Sequence, residues 1–171
     1  RIVCWQKADP PMTVFYMRYL TFVLALVAAP AFADCPDPNL EGPTYEATGP
    51  ELIAPRDWDV RAQGDTVVPC AQWAETGVLS GDLDGYLPLA PTARFELSGL
   101  GSHILMVMAR AECRPILAAR TGDGLWYFGE TANGREEIVL WGAGDGPMQV
   151  WVGSGDPDGC DAILTLETFD H

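Results

Sequence analysis

Along the second half of the chain, apolar residues recur with a period of two. Segments 94–98, 104–110, 116–120, 125–128, 137–141, 148–152 and 162–169 are short runs rich in β-branched and aromatic residues, the signature of β-strands. Two shorter pieces, 58–61 and 66–68, carry the same pattern on the amino-terminal side. Turns at 122–124, 133–134, 144–146 and 155–159 separate the later runs; glycine and Asn-Gly pairs accept the positive φ that tight hairpins need. Strands at roughly 8 to 12 residue spacing with such turns predict an all-β, antiparallel β-sandwich of jelly-roll type. The only helical rival is 69–78, where Ala71, Trp73 and Ala74 could form a turn or two before Gly77 and Gly81 stop it. No internal repeat beyond the hairpin rhythm and no low-complexity tract stands out.

Pro36, Pro38, Gly42, Pro43, Gly49, Pro50 and Pro55 make 34–55 an irregular lead-in with short extended pieces at most. Residues 17–33 read as a secretory signal peptide: Met17 and Arg18, an apolar run, then Ala31, Phe32 and Ala33 with small-x-small spacing, so cleavage is expected before Asp34. The apolar run from Leu20 to Ala29 is half of the roughly 20 residues that a bilayer-spanning helix requires, so no integral membrane segment is expected after cleavage. Asp34 argues against a lipid anchor on Cys35, because a small uncharged residue normally precedes a lipidated cysteine. Residues 1–16 share no pattern with the rest and read as upstream sequence that is not translated; Met12 offers a second start. A single domain over 34–171 follows, in a secreted or periplasmic protein.

Charge sharpens this picture. The whole chain carries a formal −14, and 34–171 has seven Arg and no Lys against 23 Asp plus Glu, a formal −16. Nucleic acid binds through Lys and Arg that neutralise phosphates, so nucleic-acid partners are excluded. A solvated acidic surface is the expected role of most carboxylates.

With Cys4 outside the exported part, Cys35, Cys70, Cys113 and Cys160 remain. An even count in an exported chain points to two disulfides rather than to zinc, since no two of these cysteines have the close spacing of a metal knuckle. Three pairings are open to four cysteines; Cys35 with Cys70 and Cys113 with Cys160 is the expected one.

Segment 94–169 resembles the bacterial pre-peptidase C-terminal domain, a jelly-roll-like sandwich appended to secreted peptidases. Phe95, Glu96 and Leu97 resemble its opening strand, and Ile116 and Leu117 the strand that leads into Gly124, Leu125 and Trp126. The run 146–153, GPMQVWVG, resembles its late Gly-x-Tyr-x-Val-x-Val element, and 160–169 its closing strand. With 35–42 in front, the chain also looks like small exported bacterial proteins of unknown role, some of which carry a serine-peptidase label. Members of this type hold calcium candidates after the tryptophan strand; the equivalent stretch here keeps Glu130 and Asn133 as oxygen donors.

Catalytic chemistry finds few residues to work with. A serine peptidase needs a nucleophile, a base and an orienting acid, and 34–171 contains four serines and two histidines, His103 and the terminal His171. Ser154 stands between Gly153 and Gly155 but lacks the full nucleophile-elbow motif, and is expected to be a hairpin serine. Carboxylate pairs such as Glu136 and Glu137, or Asp82 and Asp84, occur too freely in so acidic a chain to indicate glycoside hydrolysis. In 125–128, Leu125 and Tyr127 lie on one face and Trp126 and Phe128 on the other, so at least one pair belongs to the core. Trp141 and Trp151 are expected to pack as well, while an exposed aromatic beside carboxylates would suit a sugar ring. The turn at Asp156 and Asp158 is expected to be an ordinary Asp-Pro turn, with calcium as its sharper alternative. The sequence therefore predicts a non-enzymatic module, structural or ligand-binding, that needs no cofactor and meets a surface glycan or protein partner. Calcium or carbohydrate are the nearest sharper versions, and a secreted hydrolase is the alternative.

Overall fold

The structure, a computed structural model, describes residues 35–71, 73, 83–101 and 103–170. The expected signal peptide at 17–33, the upstream residues 1–16 and His171 lie outside the described residues. Twelve strands are described: β1 (Thr44–Thr48), β2 (Arg56–Ala62), β3 (Thr66–Val68), β4 (Gly85–Leu87), β5 (Ala93–Ser98), β6 (His103–Ala111), β7 (Pro115–Thr121), β8 (Trp126–Phe128), β9 (Glu130–Ala132), β10 (Arg135–Trp141), β11 (Gly146–Ser154) and β12 (Cys160–Asp170). Among the described residues, no helix is long and apolar enough to cross a membrane.

The strands form two sheets. A five-stranded sheet runs β2-β12-β6-β10-β9 and is antiparallel throughout. In the seven-stranded sheet, β11 is flanked by β5 and by β7, with β1 beyond β5, β8 beyond β7, and the short pair β4-β3 attached at the Ser154 end of β11. The pairing of β1 with β5 is parallel, the one departure from the antiparallel pattern. The lead-in is accordingly less irregular than its prolines suggest: it holds β1 and a 3-10 turn at Pro50–Ile53, where Pro50 occupies a first-turn position that needs no amide donor.

The two-residue period decides which side chains meet. Leu105, Val107 and Ala109 of β6, Leu164 and Leu166 of β12, and Ile138 and Leu140 of β10 point inward from the five-stranded sheet. They pack on Phe95, Leu117, Met148, Val150 and Val152 of the other sheet, closing the main core. Strands β7 and β11 are buried on both faces, which an alternation of apolar and polar residues could not support, and their sequences run almost continuously apolar. Their other face, through Ile116, Ala118 and Trp151, meets a second cluster that includes Val68, Leu87 and Trp73.

That second cluster makes the sandwich three layers deep on one side. Ala118 is paired with Trp151 on one neighbour and with Phe128 on the other, and its small side chain leaves room for aromatic rings. Trp126 lies 4.7 Å from Trp151 and 4.9 Å from Trp73 between ring centroids, and Trp73 lies 4.9 Å from Phe128. The lead-in is tied over this layer by the Asp37 amide, which donates to the Leu89 carbonyl at 2.8 Å, and by Gln149 Nε2, which donates to the Pro38 carbonyl at 2.6 Å.

Two disulfides cross-link the chain. Cys35 is bonded to Cys70 inside the second cluster. Cys113, in the turn between β6 and β7, is bonded to Cys160 at the start of β12.

Candidate functional site

Ser154 closes β11 and is fully buried. Its hydroxyl lies 3.4 Å from Cys113 Sγ and accepts the Asp156 amide at 3.0 Å, so it braces the disulfide and the following turn. His103 opens β6 and is 8% exposed. Its Nδ1 lies 3.4 Å from Asp170 Oδ1, which is too long for a good hydrogen bond and leaves that nitrogen without one. Cys113, beside Ser154, follows His103 by ten residues of mostly extended chain; at about 3.3 Å per residue the serine and the histidine are roughly 30 Å apart. A nucleophile and its base must be within hydrogen-bond reach, so these two cannot act together.

The calcium candidates are spread apart. Glu130 is exposed on β9, and Asn133 sits at φ 52° in the β9–β10 turn. In the Asp156–Asp158 turn, the Arg61 guanidinium donates to the Asp158 carbonyl at 3.1 Å and pairs with Asp161 at 3.2 Å, placing a positive charge where a cation would need oxygen donors. Among the described residues, no three His, Cys, Asp or Glu side chains converge as metal ligands would.

The tryptophans divide more sharply than their sequence contexts do. Trp151 is fully buried, but Trp141, expected to pack likewise, is 69% exposed. Both stand on the outward face of their own sheet. The second cluster covers that face around Trp151, whereas no described layer covers the outward face of the five-stranded sheet around Trp141. Trp126 and Phe128 belong to the second cluster and Tyr127 packs on the main core, so both faces of that segment are used while Leu125 stays 55% exposed.

Trp141 borders a cleft of about 360 Å³ between the β7–β8 turn and the β10–β11 turn. Tyr127, Asp123 and Asp145 line it as well. Each aspartate is fixed by its own turn. Asp123 accepts from the Thr121 hydroxyl and the Leu125 amide, and these bonds, the hydroxyl first, hold its carboxyl below the usual 3.8. Asp145 accepts from the Leu100 amide at 2.8 Å and from the Gly99 amide, which lower its carboxyl in the same way. Both are therefore anionic acceptors at neutral pH, standing beside an aromatic face. Sequence periodicity missed this site because its residues come from two turns and two strands that only the folded sandwich brings together. Of its residues, Trp141, directly before Gly142, is the one that the sequence singled out, and there it was expected to pack.

A wider and shallower depression lies on the outward face of β2, β12 and β6, lined by Asp59, Arg61, Arg110, Glu112 and Asp161. It mixes both signs of charge and contains no exposed aromatic ring.

No family model matches the chain, and no curated protein matches it. Among solved structures, the chain is similar to the pre-peptidase C-terminal domain of collagenase from Bacillus anthracis, with a TM-score of 0.41 and 10% sequence identity. The match covers 75% of this chain and 95% of that one.

Proposed function

We propose that this protein is an exported, non-catalytic β-sandwich module that holds a carbohydrate in the cleft beside Trp141. The observation that carries the reading is a tryptophan exposed to 69% at the rim of a cleft that also presents Tyr127 and two ionised aspartates. Sugar rings offer apolar faces that stack on aromatic rings and hydroxyls that donate to carboxylates; a cleft of about 360 Å³ falls at the small end of ligand sites. Two disulfides fit an oxidising compartment, and on this reading that is the periplasm or the cell exterior. The site needs no cofactor, so chelation leaves ligand binding unchanged.

The hydrolase alternative has less support, because Ser154 is sealed beside a disulfide and far from His103. The test is a glycan array with purified 34–171, followed by quenching of tryptophan fluorescence with the best glycan. Trp141→Ala and Tyr127→Ala are expected to weaken binding at least about tenfold, the scale set by loss of an aromatic anchor, with the melting temperature of the Trp141 variant unchanged. An array with no selective binder, or full affinity in Trp141→Ala, refutes the reading.

A further inference from the structure

Strand register assembles an apolar strip on the outward face of the five-stranded sheet. Ile104 of β6 is paired with Phe169 of β12 on one side and with Trp141 of β10 on the other, forming a row across three strands. Met106, two residues further on, is paired with Val139 and lies next to it on the same face. Phe169 is 40% and Val139 41% exposed, Ile104 and Met106 are half-buried, and no described layer covers them. Contiguous exposed apolar patches on soluble proteins mark interaction surfaces.

The surroundings indicate what would cover the strip. On its β12 and β2 side stand Glu167, paired in register with Met106, and Asp57 and Asp59. Asp57 accepts from the Thr165 hydroxyl, which places it on this same outward face. Among the described residues, no Lys or Arg forms an ion pair with Glu167, Asp57 or Asp59; the Arg61 and Arg135 guanidiniums are engaged with Asp161 and Glu137, and Arg110 stands across β12 from Asp59, away from Glu167 and the apolar row. A second copy of the chain would bring a further formal −14 against this face, which opposes self-association.

We infer that this strip is a docking surface for a polypeptide segment that alternates apolar side chains with Lys or Arg. The apolar side chains lie along Ile104, Met106 and Phe169, and the cations meet Glu167 and Asp57. This surface is independent of the proposed carbohydrate cleft, apart from Trp141, which stands where the two adjoin.

The test uses fluorescence anisotropy with a short labelled peptide of alternating lysine and leucine, and a lysine-glycine peptide of equal length and charge. The lysine-leucine peptide is expected to bind at least about tenfold more tightly. Met106→Glu and Phe169→Ser are expected to remove that advantage with an unchanged far-ultraviolet spectrum. Because a glutamate on a half-buried position could disturb folding, the surface variant Glu167→Gln with Asp57→Asn provides a second arm, expected to weaken binding and to flatten its salt dependence. Equal binding of both peptides would show only general attraction to an acidic protein and overturn the proposal. A dimer in light scattering that dissociates in the Met106 and Phe169 variants would assign the face to a second copy and overturn it as well. Tyr127→Ala, which disables the carbohydrate cleft, is expected to leave peptide affinity unchanged; glycan binding can therefore fail without affecting this result.

Discussion

Replacing both Cys113 and Cys160 by alanine tests how far the cross-link supports the sandwich. The bond closes a sequence separation of 47 residues that contains β7 through β11. Loop-closure entropy for a loop of that length corresponds to about 4 kcal/mol at 25 °C, which the unfolded chain regains once the bond is gone. In the folded protein the variant loses less. Both cysteines are half-buried at the rim of the main core, and the sulfurs accept only the Cys113 amide at 3.3 Å and the Ser154 hydroxyl at 3.4 Å. The hydroxyl keeps its bond from the Asp156 amide. Against a typical domain stability of about 5–15 kcal/mol the expected loss is large, yet the variant should still fold at room temperature. Urea titration followed by tryptophan fluorescence and far-ultraviolet circular dichroism measures it. With a slope of roughly 1.5–2 kcal/mol per molar urea, the midpoint should fall by about 2–3 M, and the slope should rise because the unlinked chain exposes more surface. A loss below about 1 kcal/mol would refute the entropic reasoning. A species that keeps its secondary structure but loses its fluorescence transition would show that the bond specifies packing rather than restricting the unfolded chain.

Other outcomes follow from single positions. A methyl group on Gly153 would overlap the carbonyl oxygen of Tyr86, backbone that cannot swing aside, so Gly153→Ala should cost about 1–3 kcal/mol in the same titration; an unchanged midpoint would mean β4 does not rest against β11. Trp151→Ala removes a fully buried ring and should cost about 3–5 kcal/mol, whereas Trp141→Ala should stay within about 0.5 kcal/mol of the parent; similar losses in a paired thermal melt would contradict the assignment of the two faces. The carboxyls of Asp123 and Asp145 are lowered in the folded state by hydrogen bonds from the Thr121 hydroxyl and from the Leu100 and Gly99 amides respectively. Their contribution is therefore fully present above about pH 5 and is lost as pH falls through the lowered values. Melting temperature should fall below about pH 4, and Asp145→Asn should flatten that fall; a parallel curve for the variant would remove Asp145 from the account.

How much of this was legible in the chain depends on the distance over which each feature is decided. Strand identity is local: the two-residue period, the β-branched runs and the glycine turns at 122–124 and 133–134 mark β5 to β8 and β10 to β12 without any knowledge of partners. The short strands β1, β4 and β9 carry no such period and exist because longer neighbours offer them a ladder, β5 to the first, β11 to the second, β10 to the third. The candidate cleft was not legible, since Asp123 and Asp145 look like any turn aspartates until β8 and β10 bring their turns together.

The two tryptophans of β10 and β11 mark the boundary most clearly. Each follows an inward-facing residue, Leu140 or Val150, so the sequence by itself determined that both rings point away from the main core. Only the tertiary structure decided their fates. The lead-in, Trp73, Trp126 and Phe128 lie over the outward face of one sheet and bury Trp151, while among the described residues the other sheet receives no such layer and Trp141 is 69% exposed. A residue's parity along a strand is fixed by backbone geometry over two positions; whether anything lies opposite that face depends on segments far away in the chain, which no local pattern encodes.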